Sequence, residues 1–199
     1  NVDDYNGAGS YELVVVCDLA GGDVILSEHP EYNYNAGGAM QLISFPDVTN
    51  ISIDGEVTAQ EWDGNSGGVV VMRASNTITL NDNINVDYQG FRGGTHIESP
   101  FTCSFIFTLN AYEYEAATGL GAMKGEGIAN YTTNNGGRGA LANGGGGGND
   151  HNSGGGGGSN VTDGGDGGEN QEPNSSLCPG DYPGKGVKDL DTDGTRIFF

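Results

Sequence analysis

Ile51-Ser52-Ile53-Asp54-Gly55-Glu56-Val57-Thr58-Ala59 and Ile78-Thr79-Leu80-Asn81-Asp82-Asn83-Ile84-Asn85-Val86 carry the same order of apolar and polar residues, 27 positions apart. The polar break after the third residue recurs as well. A step of 27 backwards reaches Val24-Ile25-Leu26-Ser27, and a step forwards reaches Phe105-Ile106-Phe107-Thr108. A second series, Leu13 to Val16, Met40 to Phe45 and Gly68 to Met72, precedes the first at nearly the same spacing, and Thr95-His96-Ile97 stands near its next position. Paired glycines at 21–22, 37–38, 67–68 and 93–94 punctuate the series.

Short strands repeating at a fixed offset are what a parallel β-solenoid needs, because each coil returns the chain to one strand spacing above its start. The repeat therefore predicts coils of about 27 residues, with Val24, Ile51 and Ile78 stacked in one core column roughly 4.8 Å apart. Asn, Asp and Gly suit the corners. An antiparallel sandwich also has short strands between turn signals, but it has no reason to repeat its strand-and-break pattern at a constant offset.

Further along, the composition changes. Fourteen glycines fall in residues 1–120 and 24 in residues 121–199; between Asn135 and Gly168, 17 of 34 residues are Gly. Such a segment has too few side chains to build its own apolar core. The reading is thus a solenoid over 1–115 and a glycine-rich segment over 116–199 that packs on it and is not an independent domain. Only 110–124 (NAYEYEAATGLGAMK) could hold a short helix, and its Tyr–Glu alternation fits a strand equally. Gly144 to Gly148 and Gly154 to Gly158 are two runs of five, separated by Asn149-Asp150-His151-Asn152-Ser153. The default for such runs is a flexible linker. The alternative, which we expect, is a set of extended threefold, polyglycine-II-like helices packed side by side, with 149–153 as a turn. Glycine alone permits that approach. Gly136-Gly137-Arg138-Gly139 and Gly164-Gly165-Asp166-Gly167-Gly168 could supply further members.

The run Asn83-Ile84-Asn85-Val86-Asp87-Tyr88-Gln89-Gly90-Phe91-Arg92-Gly93-Gly94 resembles a hallmark of glycine-rich, β-helix-containing secreted surface proteins of Bacteroidota. Gly125-Glu126-Gly127-Ile128-Ala129 and the stretch from Gly136 to Gly154 continue that resemblance in order. It covers roughly residues 40 to 199. It implies a large protein secreted across the outer membrane that acts as an adhesin or surface-layer material, with O-glycans on short Asp-Ser/Thr-apolar motifs.

Acids outnumber bases 27 to 7, for a formal net charge of −20. This excludes nucleic acid and anionic lipid as natural partners, since phosphates need Lys and Arg. No apolar run approaches the roughly 20 residues of a membrane-spanning helix. The chain opens at Asn1 rather than Met, and we read it as processed or partial. Location is expected to be extracellular.

Three cysteines, Cys17, Cys103 and Cys178, leave one thiol over in an oxidising compartment. In a solenoid, Cys17 and Cys103 lie about three coils or roughly 14 Å apart, beyond the roughly 7 Å Cα limit for a disulfide. A Cys103–Cys178 bond follows. Asp189, Asp191 and Asp193 alternate before Gly194 as in the opening of a calcium loop, although the Glu expected at loop position 12 is missing. The other reading is a solvated acidic turn, and no further cofactor is expected. Asn50, Asn130, Asn160 and Asn174 begin Asn-X-Ser/Thr sequons.

Chemistry is sparse. His29, His96 and His151 share no spacing, and no nucleophile elbow, zinc-protease or phosphate-loop motif occurs. Polysaccharide lyases on β-helices use Lys, Arg and Asp on one sheet face, yet the N-terminal part offers only Arg73 and Arg92. Trp62 and the tyrosines could stack on sugar rings but also suit packing. The expectation is a non-enzymatic structural or adhesive protein, homo-oligomeric or polymeric, with surface glycans as further partners. The rival is a carbohydrate-binding or polysaccharide-cleaving β-helix protein.

Overall fold

The computed structural model describes residues 9–35, 40–98, 111–115, 121–129, 133–149, 153–159, 162–168 and 182–187. Its described part is all-β with no helix. Four strands form two small sheets: β1 (Val16–Ala20) with β2 (Asp23–Leu26), and β3 (Asp47–Ile53) with β4 (Arg73–Leu80).

β3 and β4 run parallel, with Asn50 opposite Thr77, Ile51 opposite Ile78, Ser52 opposite Thr79 and Ile53 opposite Leu80. The offset is the 27 of the sequence repeat. A bulge between Val48 and Asn50 accounts for the offset of 26 at Asp47–Arg73 and Val48–Ala74. The same step continues past the strands. Asn81 N donates to Ile53 O, Val57 N to Asn83 O, Asn85 N to Val57 O and Trp62 N to Gln89 O. Polar rows stack beside the apolar ones: Asn76 Nδ2 donates to Asn50 Oδ1 at 2.9 Å, and Asn81 Nδ2 to Asp54 Oδ1 at 2.7 Å. Before β3, the Gln41 side chain bonds both backbone groups of Gly67 at 3.2 and 2.8 Å.

The expected column of Val24, Ile51 and Ile78 does not extend to its first member as drawn. β2 folds back on β1 as an antiparallel hairpin, and Val24 is the register partner of Leu19. The reason is local. Gly21 and Gly22 both have positive φ, 62° and 93°, the pairing that a two-residue hairpin turn requires and that L-residues disfavour. Leu13 to Val15, Met40 to Phe45 and Gly68 to Met72 lie outside the named strands.

Among the described residues of the glycine-rich part, short segments are joined to one another by backbone hydrogen bonds. Segment 143–149 is fully buried, with Asn149 at 0 % exposure. It bonds 121–126 through Gly125 N to Gly145 O and Ala122 N to Gly148 O. It bonds 153–159 through Gly156 N to Gly146 O and Ser159 N to Asn143 O, and 182–187 through Gly146 N to Lys185 O and Asn149 N to Tyr182 O. Segment 153–159 bonds 163–168 through Gly154 N to Gly168 O and Gly157 N to Gly165 O, and 182–187 through Gly184 N to Gly154 O and Val187 N to Gly157 O. Segments 163–168 and 182–187 close the set through Gly164 N to Val187 O and Gly167 N to Gly184 O. In each of these pairs the two bonds are three residues apart on both segments. The run 110–124 is not helical where it is described: Tyr114 bridges Gly136, and Gly121 bridges Asn149.

Candidate functional site

A joint between 90–94 and 125–129 is built from residues of the two stretches quoted for their resemblance to a known family. Arg92 lies in 90–94 and Glu126 in 125–129. The guanidinium and carboxylate meet at 2.6 Å from Nη2 to Oε1, with Nε 3.0 and 3.1 Å from the two oxygens. The backbones interlock as well: Arg92 N donates to Glu126 Oε2 at 3.0 Å, and Glu126 N donates to Arg92 O at 2.9 Å. Trp62 Nε1 adds a donor to Glu126 Oε2 at 2.9 Å. Its ring stands edge-on to Phe91, with centroids 5.0 Å apart at 83°. Hydrogen bonding from Arg92 holds the Glu126 carboxyl below its ordinary range, partial burial opposing it; the same bond raises Arg92 further.

Why the chain folds this way here follows from one turn and one close backbone approach. Asp63 Oδ1 accepts from Asn65 N and Ser66 N, each at 2.8 Å, turning the chain after Trp62. Beside Arg92, Gly94 lies against the Met123 backbone so closely that a Cβ would overlap its carbonyl. A shallow cavity of about 310 Å³ lies over this joint, between 92–95 and Met123, Lys124 and Glu126. Lys124 does not offer its charge to it. Nζ donates to Tyr112 O at 2.7 Å and Gly139 O at 2.5 Å, and burial pushes the ammonium below its usual range against the pull of Glu113.

The second feature is the glycine packing. A Cβ built on Gly144, Gly145, Gly146, Gly147, Gly148, Gly156, Gly164, Gly167, Gly184 or Gly186 would collide with the backbone of a neighbouring segment. The few long side chains sit at the margin. The Arg138 guanidinium lies between the rings of Tyr112 and Tyr182, 5.4 and 5.5 Å from their centroids. Lys185 Nζ bonds Asp166 Oδ2 at 2.6 Å, and Gly186 N donates to the other oxygen at 2.8 Å. Asn149 Nδ2 donates to Ala111 O, and Asn143 Oδ1 accepts from Ile128 N.

Of the residues expected from sequence, Gly144, Gly148, Gly154 and Gly158 lie in this packing. Asn50 lies exposed on β3, bonded to Asn76. Cys17 is an exposed free thiol on β1. Cys103, Cys178, Asp189, Asp191, Asp193, Asn130, Asn160, Asn174 and His151 lie outside the described residues. Arg73 faces Asp47 at 3.8 Å, so both basic residues of the N-terminal part are paired with acids. Among the described residues, no three or more His, Cys, Asp or Glu converge as metal ligands, and no helix is long and apolar enough to cross a membrane. The Trp62–Glu126–Arg92 joint was not foreseen from sequence. Its only prior sign was the presence of Arg92 and Glu126 in the two resembling stretches.

No protein family, curated protein or solved structure matches this chain.

Proposed function

We propose that this chain is a structural or adhesive element of a surface protein that works outside the cell, without catalysis. Residues 47–98 form successive coils of a short parallel β-solenoid, and the glycine-rich part is a bundle of polyglycine-II-like helices docked on its end through the Arg92–Glu126–Trp62 joint. The single observation behind this reading is the glycine packing: hydrogen bonds three residues apart link five segments, and at most of the glycines between them a Cβ would strike a neighbouring backbone. Ordering a glycine backbone costs roughly 1–2 kcal/mol per residue or more. A lattice that satisfies its own backbone groups offsets that cost and yields a stiff body with little side-chain chemistry. Such a body suits a spacer or stalk. Trp62, the aromatic best suited to stacking on a sugar, is occupied by Glu126 and Phe91, which tells against the carbohydrate-binding rival.

Limited proteolysis of the native protein, with electron microscopy of the same material, tests this. A stiff particle or filament that resists cleavage from 135 to 168 is expected. Ready cleavage within the glycine runs would make the segment a tether and remove the proposal.

A further inference from the structure

Residues 163–168 read Asp-Gly-Gly twice, and their surroundings repeat with the same step of three. Gly164 and Gly167 are half-buried, while Asp163, Gly165, Asp166 and Gly168 are exposed. A Cβ on Gly164 would overlap the Gly157 carbonyl, and one on Gly167 the Gly154 carbonyl; on Gly165 or Gly168 it meets nothing within 4 Å. The backbone bonds keep the step as well. Gly164 N and Gly167 N donate to Val187 O and Gly184 O, and Gly165 O and Gly168 O accept from Gly157 N and Gly154 N. Residues three apart lie over one another in an extended threefold helix. The segment then has three edges: one closed to side chains, one open to them and one acidic. On the acidic edge Asp166 accepts twice from 182–187, from Lys185 Nζ at 2.6 Å on one oxygen and from Gly186 N at 2.8 Å on the other.

The closed edge alone does not fix the alignment. A shift of one residue can bring Gly165 and Gly168 into the places of Gly164 and Gly167. Glycine still fills both closed places, and Asp166 moves to the open place of Gly165. The opposite shift drives Asp163 and Asp166 into the closed places, where their Cβ atoms would overlap the Gly157 and Gly154 carbonyls. Packing thus forbids one shift and admits the other. What the admitted shift loses is the Asp166 clasp, because Gly167 takes its place beside Lys185.

We propose that Asp166 is a phase lock: its bonds to Lys185 and Gly186 hold 163–168 in one of the two alignments that the glycine packing admits. This rests on the polyglycine-II-like packing proposed above and names the residue that orients one of its members. The Lys185 and Asp166 side chains are 36 and 51 % exposed, and a pair so exposed contributes little to overall stability. It needs only to separate two alignments whose backbone bonds are nearly alike.

Scalar couplings across the hydrogen bonds of the isotope-labelled full chain read the alignment directly. In the parent, Gly164 N should couple to the Val187 carbonyl carbon and Gly167 N to that of Gly184. In Asp166→Gly these couplings should weaken, and a second set should join Gly165 to Val187 and Gly168 to Gly184. Adding Gly165→Ala to Asp166→Gly should restore the parent set, because Ala fits the open place and not the closed one. Parent couplings unchanged in Asp166→Gly would overturn the inference. So would their loss with no second set, since Asp166 would then hold the segment on rather than in phase, and so would a second set that survives Gly165→Ala. In each of those cases the parent's couplings leave the glycine packing standing. A parent that lacks the Gly164 and Gly167 couplings overturns the packing and the lock together.

Discussion

Ile51 and Ile78 are register partners in a parallel pair, 27 residues apart along the chain. Their sheet is built by stacking one stretch on its own sequence echo. Ile53 and Leu80 repeat the relationship, and Val57 and Ile84 carry it past the strands. Burial is unequal along these columns. Ile53→Asp should cost at least about 3 kcal/mol, because an unpaired carboxylate enters a buried row. Ile78→Asp, at a site 42 % exposed, should cost less than half as much. Urea midpoints of the two variants check the ranking, which equal losses would contradict.

Glycine is required unevenly in the packed segments. A Cβ on Gly156 would strike the Lys185 carbonyl, whereas one on Gly165 meets nothing within 4 Å. Gly156→Val is expected to destabilise the protein by more than about 3 kcal/mol, and Gly165→Val by about 0.5 kcal/mol or less. Thermal unfolding of the pair decides this; a mobile linker would tolerate both.

The Arg92–Glu126 joint has a pH signature. An unfolded Glu126 titrates near 4.5, and its folded carboxyl lies lower because Arg92 donates to it. Its contribution to stability is therefore complete above the unfolded value and fades as pH falls through the lower folded value. Glu126→Gln should flatten that acid limb and leave the curve near neutrality parallel to the parent's. Unfolding midpoints across the acid range measure it, and an unchanged limb in the variant would exclude the joint as its source.

Thiol accessibility gives another expectation. Cys17 is exposed on β1, so it should alkylate in the native protein. Cys103 and Cys178 should alkylate only after reduction, as members of the expected disulfide. Non-reducing peptide mapping that finds Cys17 joined to Cys103 would refute the pairing.

The ladder was legible because stacking in register leaves a periodic trace: residues that share a column share a type, and Ile51 predicts Ile78. The same trace misled at Val24. There Gly21-Gly22 gave β2 a nearer partner in β1, and a two-residue turn closes at less entropic cost than a long loop. The glycine segments were legible as a composition. Which segment bonds which was not, since identical residues carry no pairing code. The joint was hidden for a different reason. Arg92 and Glu126 lie 34 residues apart and Trp62 a further 30 before Arg92, and single residues converging over such distances leave no local pattern.

Hydrogen exchange of the amides in Gly144 to Gly148 and Gly154 to Gly158 tests the central claim most directly. The account predicts protection at Gly146, Gly147, Gly154, Gly156 and Gly157, whose N–H groups are bonded to neighbouring segments, and protection lost together in Gly156→Val. Exchange at the rate of a free glycine peptide throughout both runs would contradict it.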